Sequence, residues 1–321
     1  MKSCPACEIL HDDESRFCGE CGAPLTAQKE PGCGHCHAPA EKIDEEGFCA
    51  VCGFQRPINA DSREVALSDS FAGASDKGKR HFQNEDVFEI GACNGFYTAV
   101  LCDGVSSSAR PAEASRFAAE AAKERLGENL AKCNGCGVTK IIEEAIEAAE
   151  AAVHALPAND PTLDPPASTI VLAVADKSKI TVGWLGDSRA YFLNEKKSKQ
   201  ITRDHSWVNE QVDEGQLSYE EASRSRKAHT ITRTLGGYRD SGQPDHPSFV
   251  EFEITESGWL LLCSDGLWNY SETIKEVIAM AGKKPTALEL ASFLVQWANQ
   301  QGGKDNITVT ALKVRHETKT P

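Results

Sequence analysis

No apolar run in this 321-residue chain approaches the roughly 20 residues that a membrane helix needs; the longest, 170–175 and 259–263, stop at six and five residues. Positive charge is also scarce. The chain has 34 Lys and Arg against 48 Asp and Glu, 34 − 48 = −14, which excludes a general binder of nucleic acid or anionic membrane, since either partner demands a basic footprint. The N-terminal MKSCPAC has no apolar stretch before its first cysteine. A secretory signal is therefore not expected, and the chain is assigned to the cytoplasm. With 40% hydrophobic and 26% charged residues the rest is ordinary globular composition, and the length allows one large domain beside something small.

Cysteine, by contrast, is abundant. Of 13 residues, eight lie in the first 52 positions as four C-x-x-C pairs: Cys4/Cys7, Cys18/Cys21, Cys33/Cys36 and Cys49/Cys52. In a reducing compartment clustered thiols are metal ligands before they are disulfides. Each pair offers two thiolates to one tetrahedral ion, and two pairs close a four-sulfur shell that suits Zn²⁺ and leaves no open position, so the expected sites are structural. The string FCGECGAPL is similar to the second half of a zinc ribbon, and residues 1–53 resemble a tandem pair of ribbons holding two Zn²⁺ ions. Sequential pairing gives two beads and interleaved pairing gives one cross-braced unit; the 10 and 12 residues between knuckles suit a hairpin in each bead. A thioredoxin-like redox motif would be single and would accompany a βαβ pattern, which is missing. Residues 1–60 carry five basic and ten acidic side chains, 5 − 10 = −5, so the head is read as a protein-docking or spacing module. Cys133 and Cys136 form a lone C-x-x-C without a partner pair, open to a metal or a redox role.

Residues 54–67 have no periodicity and read as a linker. Beyond it, 68–315 should form the second domain, with 316–321 as a tail. Apolar residues at helical spacing predict helices over 111–130 and 140–156, and Thr286 opens a capping box with Glu289 ahead of a third. Strands are expected at 97–102, 169–175, 180–185, 190–193, 249–254, 259–263 and 307–314. Strands in runs with paired helices between them argue for α+β layers. The polar stretch 202–234 is long for a connection inside a compact domain and reads as a flap beside an active site.

Acidic residues stand at turns beside apolar strands: Glu85 and Asp86 in QNEDVF, Asp103 in AVLCDGV, Asp265 in LLLCSDGLW and Asp305 in GGKDNITV. Carboxylates on a rigid frame, flanked by Gly or Asn, are what a hard cation such as Mg²⁺ or Mn²⁺ requires. Taken singly, each Asp-Gly is more often a turn. In order, however, RHFQNED, LCDGVSS, AST, GWLGDSRAY, RDHS, TRTLGG, LCSDGLW and GGKDNITV resemble the metal-dependent Ser/Thr phosphatases of the PP2C (PPM) family in their bacterial form, over residues 68–315.

That resemblance implies a four-layer α-β-β-α sandwich of two antiparallel sheets flanked by helices. It also implies that Asp103 bridges two Mn²⁺ or Mg²⁺ ions, that Gly104 lends its carbonyl, that Asp265 and Asp305 complete the second ion, and that Glu85 and Asp86 hold coordinated water. Asp187, with Asp265, resembles the ligands of a third ion. The implied reaction is hydrolysis of phosphoserine and phosphothreonine by activated water without a covalent phosphoenzyme. No Cys-x5-Arg and no Gly-x-Ser-x-Gly occurs, so Cys93, Cys102 and Cys263 are read as buried apolar groups. Residues 73–79 spell G-x4-G-K, but Arg80 replaces the Ser or Thr of a nucleotide-binding loop.

Two positions depart from the family pattern. Where the phosphate-holding Arg is expected stands His81, with Arg80 beside it; Arg80 is favoured for its fork and permanent charge. Where animal members carry a His after the first Asp-Gly stands Val105, and Ser106 and Ser107 replace Gly-Gly. His205 and Arg189 are expected to be structural. The implied partners are a Ser/Thr kinase or its targets. Rival readings are a catalytically silent phospho-binding regulator, which retention of Asp103, Asp265 and Asp305 opposes, and a zinc-ribbon adaptor, which the acidic head opposes.

Overall fold

The computed structural model describes residues 2–3, 10–11, 38–42, 49–53, 62–133, 135, 137–158, 163–194, 199–237, 244–270, 277 and 286–316. Six cysteines of the head, Cys4, Cys7, Cys18, Cys21, Cys33 and Cys36, and with them the expected ribbon fold, lie outside the described residues. Lys2–Ser3 pairs antiparallel with Leu10–His11 across the first C-x-x-C. Cys49 is buried, Cys52 is exposed, and the Gly53 N–H donates to the Cys49 carbonyl at 2.8 Å.

The main domain opens with β1 (Ser62–Ser68) and β2 (Phe71–Asp76), followed by β3 (Asp86–Cys93) and β4 (Phe96–Asp103). Helices α1 (Pro111–Ala131) and α2 (Val138–His154) come next. Then follow β5 (Ala167–Ser168), β6 (Ile170–Ala175), β7 (Lys179–Leu185), β8 (Arg189–Leu193) and β9 (Lys199–Gln200). The excursion at 202–234 carries α3 (Trp207–Asp213) and α4 (Tyr219–Ser223). The chain continues through β10 (Leu235–Gly236), β11 (Ser248–Glu253), β12 (Gly258–Cys263), α5 (Asp265–Trp268), α6 (Ala287–Gln301) and β13 (Ile307–Val314).

Two antiparallel sheets result, one in the order β9-β8-β12-β13-β2-β1 and the other β11-β7-β6-β4-β3. Alternation along the buried strands explains why they pack face to face. Leu260 and Leu262 of β12 enter the layer between the sheets, while Leu261 and Cys263 point to the opposite face and meet α6. In β6, Val171 and Ala173 face the central layer, and Ile170, Leu172 and Val174 face α1 and α2. A strand covered on both faces has no polar alternation, hence the continuous apolar runs at 170–175 and 259–263. Small Ala residues at 114, 118, 119 and 122 of α1 are fully buried against α2 and its sheet. The architecture is an α-β-β-α sandwich, as expected.

The start of the domain differs from the sequence reading. Residues 62–67, placed in the linker, belong to the strand Ser62–Ser68, which pairs with β2 from Ser62↔Asp76 onward. It escaped notice because it is an edge strand with six of its seven residues exposed, so neither face supplies an apolar period. The G-x4-G-K string is not a nucleotide loop: Gly73 lies within β2, and a Cβ there would sit 2.4 Å from the Phe88 ring of the facing sheet. Its absence of side chain lets the sheets approach.

Candidate metal centre

Strand ends gather the carboxylates. Asp86 opens β3 and Asp103 ends β4, and the two are direct cross-strand partners. Asp265 follows β12 and opens α5, and Asp305 stands just before β13, whose first residue pairs with Asp76 at the end of β2. Asp187 lies in the turn from β7 to β8, next to Arg189, which is paired with Cys263 of β12. Antiparallel pairing thus brings Glu85, Asp86, Asp103, Asp187, Asp265 and Asp305 to one end of the sandwich.

Hydrogen bonds fix Glu85, Asp86, Asp103 and Asp265. The Glu85 N–H donates to Asn306 Oδ1 at 2.7 Å, and Ser106 Oγ donates to Glu85 Oε2 at 2.5 Å. Ser264 Oγ donates to Asp86 Oδ2 at 2.7 Å. The Asp103 N–H donates to Thr169 Oγ1 at 3.2 Å, and Asn269 Nδ2 donates to Asp265 Oδ2 at 3.1 Å. Gly104 is pressed against α1, where a Cβ would lie 2.4 Å from the Pro111 carbonyl oxygen, so only glycine lets the backbone lie this close.

Glu85 and Asp86 are buried, whereas Asp103, Asp187, Asp265 and Asp305 are half-buried and open on one side. Desolvation, followed by the negative charge of Asp86, Asp265, Asp305 and Asp187, pushes Asp103 well above the usual carboxylate range. Asp265 and Asp187 are raised in the same way, by burial first and neighbouring carboxylates second. Asp305 is pushed up to about 8, by burial and then Asp86. Asp86 Oδ1 and Asp187 Oδ1 are buried with no hydrogen-bond partner.

This donor set fits divalent cations. It is all oxygen, it crowds like charges that repel one another, and two of its buried oxygens lack a partner. Among the described residues no three acidic, His or Cys side chains close around one point as a finished cage, in keeping with hard cations that keep several waters and borrow few protein oxygens.

His81 Nε2 lies 3.1 Å from Asp305 Oδ1, out of line for a hydrogen bond. His81 is thereby in contact with the carboxylate cluster. The charge of Arg80 acts on Tyr270. The Val105 N–H donates to the Ala167 carbonyl at 3.0 Å.

The excursion at 202–234 lies beside the centre, as expected of a flap. It covers a cavity of about 670 Å³ whose walls include Asp187, Asp265, Trp268, Arg203, Tyr219 and His229. Arg189 is structural: it holds Asp204 through Nε at 2.9 Å and Nη2 at 2.6 Å, and its guanidinium stacks 3.7 Å over the Trp268 ring. His205 accepts from the Gly186 N–H at 3.2 Å and faces Ser248 Oγ at 2.9 Å; burial, then the charge of Arg233, lowers its pKa to about 4. Cys102 and Cys263 are fully buried, and desolvation raises both thiols. Cys93, expected to be buried, is half-buried, because it ends an edge strand at the β3–β4 turn.

Sequence reasoning missed Asn306 and Ser264, and it noted Ser106 without its bond to Glu85. Asn306 is the hub, accepting from Glu85 and donating through Nδ2 to the carbonyls of Lys77 at 2.8 Å and Gln83 at 3.1 Å. The available signal was an amide directly after an acidic residue at a strand start. Among the described residues, no helix is long and apolar enough to cross a membrane.

Comparison with known proteins agrees with this geometry. A family profile described as "Protein phosphatase 2C" matches residues 102–307. The serine/threonine phosphatase stp of Listeria welshimeri is 30% identical over 240 residues, covering 73% of this chain and 92% of its own length. The crystal structure of the Mycobacterium tuberculosis serine/threonine phosphatase PstP superposes with a TM-score of 0.63 at 26% identity, over 79% of this chain and 99% of that one. The PstP catalytic domain in complex with two manganese ions gives 0.61 at 27% identity, over 79% and 98%. The chain belongs to the protein phosphatase 2C family of metal-dependent serine/threonine phosphatases.

Proposed function

We propose that Asp103, Asp265 and Asp305, with the Gly104 carbonyl and with Glu85 and Asp86 behind coordinated water, hold the two divalent ions of this phosphatase, and that Asp187 with Asp265 takes a third. One observation carries the assignment: half-buried and buried carboxylates converge at one end of the sandwich with two oxygens unpartnered. Mn²⁺ or Mg²⁺ bound there supplies Lewis acidity and acidifies a coordinated water, the means by which two-metal centres cleave phosphoesters. The protein's part is orientation. Ser264 fixes Asp86, Ser106 fixes Glu85, and Asn306 ties the Glu85 backbone to the 77–83 loop.

His81, in contact with Asp305, and Arg80 beside it are the groups for the phosphoryl oxygens. The buried Cys102 and Cys263, with raised thiols, are unsuited to nucleophilic attack, so no covalent phosphoenzyme is invoked. Val105 has no proton to give, and the leaving alkoxide takes its proton elsewhere. Hydrolysis of a phosphothreonine peptide by metal-stripped protein, with Mn²⁺ or Mg²⁺ restored, tests the assignment. Turnover that returns with metal and is lost in Asp103→Asn supports it; metal-independent turnover overturns it. A chain that binds phosphopeptide but never turns over would revive the silent regulator.

The eight head cysteines support a second assignment, a tandem zinc ribbon with two structural Zn²⁺ that docks a protein partner, a Ser/Thr kinase or one of its targets. Elemental analysis should find two zinc per chain in addition to the active-site metals; none would sink it.

A further inference from the structure

Beside the metal centre the charge of the molecule reverses. The chain is −14 overall, yet residues 77–83 read Lys-Gly-Lys-Arg-His-Phe-Gln, and no acidic residue occurs between Asp76 and Glu85. The facing loop, which carries Asp305, adds Lys304. Backbone contacts clamp the two loops together. The Lys79 N–H donates to the Gly303 carbonyl at 2.7 Å, and Asn306 Nδ2 bonds the carbonyls of Lys77 and Gln83. The Lys304 N–H donates to the Tyr270 hydroxyl at 2.8 Å, and the charge of Arg80 acts on the same hydroxyl. Lys79, Arg80 and Lys304 therefore share one rim, with His81 at its inner edge against Asp305.

Lys79 is exposed and Lys304 half-buried, and among the described residues neither ammonium is hydrogen-bonded to, or in ion-pair range of, a carboxylate. Several other surface cations are matched to carboxylates: Lys123 pairs with Glu89, Lys179 with Glu251 and Arg203 with Asp213. Cations of one sign gathered on a fixed rim repel one another, and an anion between them relieves that repulsion. An extended peptide advances about 3.3 Å per residue, so side chains one to three positions from a phosphoresidue in the centre reach this rim.

Resting on the phosphatase assignment above, we propose that Lys79 and Lys304 select substrates in which a second anionic group, a carboxylate or another phosphate, lies within about three residues of the phosphoserine or phosphothreonine, the distance set by strand rise. Chemically the preferred substrate is an acidic or multiply phosphorylated segment.

The test compares kcat/KM for three phosphothreonine peptides alike except that the neighbouring positions carry Glu, Gln or a second phosphothreonine, with 4-nitrophenyl phosphate as a substrate that cannot reach the rim. Metal-loaded full-length protein should prefer the anionic peptides roughly five- to tenfold at low salt, a preference that fades as salt screens exposed charges. Lys79→Gln with Lys304→Gln should remove the preference and leave 4-nitrophenyl phosphate turnover within about twofold, since no rim contact is involved; Lys79→Gln alone should halve the preference if the double variant folds poorly. Preference for the doubly phosphorylated peptide only upholds the rim and identifies phosphate as the anion. Equal kcat/KM for all three, or a preference that survives in the double variant, overturns it. If 4-nitrophenyl phosphate and every peptide resist hydrolysis, the phosphatase assignment has failed. Fluorescence anisotropy of the same peptides then decides the rim separately: tighter binding of the anionic ones upholds it and equal affinity overturns it.

Discussion

Two sets of carboxylates drawn wholly or partly out of water are treated in opposite ways in this fold. Asp204 is matched: Arg189 holds it with three contacts, Gln200 donates to it at 3.1 Å, and Trp268 covers the guanidinium. In the cluster of Asp86, Asp103, Asp187, Asp265 and Asp305, desolvation with mutual repulsion outweighs the polar supports and drives the pKa values upward. The domain is able to satisfy a buried carboxylate when structure is the purpose. Leaving five of them to repel one another points to a place that receives positive charge from outside.

Breaking the unmatched set should cost function and spare the fold. Asp103→Asn should lower kcat/KM by more than about 100-fold, beyond what loss of an outer hydrogen-bond partner costs, and should raise the melting temperature of the metal-free protein by removing one repelling charge. A lower melting temperature in the metal-free variant would show that Asp103 is structural. Breaking the matched set should do the reverse. Arg189→Met strands Asp204 and should cost about 3 kcal/mol in urea unfolding, with Asp204→Asn on top recovering much of it. An unchanged midpoint for Arg189→Met would remove the contrast.

Smaller effects sharpen the same distinction. Ser106→Ala takes the hydroxyl from Glu85 and should reduce kcat/KM by about tenfold with stability unchanged. The pH dependence of stability follows from the raised carboxylates. A group whose folded pKa exceeds its unfolded value binds more protons when folded, so its contribution to stability is full below the unfolded value and is lost as pH rises through the folded one. For Asp305 that loss extends from the ordinary carboxylate range to about 8. Metal-stripped protein should therefore melt several degrees lower at pH 8.5 than at pH 5.5, and metal-loaded protein should show little of this trend. Parallel pH curves with and without metal would refute the repulsion account.

What the chain shows in advance, and what it conceals, depends on the range of the causes. Strands at 170–175 and 259–263 are legible because burial on both faces leaves an unbroken apolar run. Ser62–Ser68 is concealed because an exposed edge leaves none, and Phe71–Asp76 because its small residues answer to the Phe88 ring of the other sheet. Asp103, Asp265 and Asp305 are legible as acidic residues at strand ends in a recognisable series. Ser264 and Asn306 serve residues 178 and 221 positions away in sequence, and no local pattern records such a debt. Arg80 and His81 are weighed in the sequence by side-chain chemistry alone, and the contact of His81 with Asp305 is one that only the fold reveals.

The position of β13 bears on how the protein is made. Ile307–Val314 comes after every other strand of the domain, yet it lies in the interior of its sheet, between β12 and β2, and the Asn306 that precedes it closes the link to Glu85. During synthesis β2 and β12 must wait, with an empty slot between them, until some 230 residues after β2 have emerged from the ribosome. Pairing over that separation makes folding slow. The link between Asn306 and Glu85 therefore forms only once this last strand is in place, and a nascent chain in which it has not docked exposes two unpaired sheet edges.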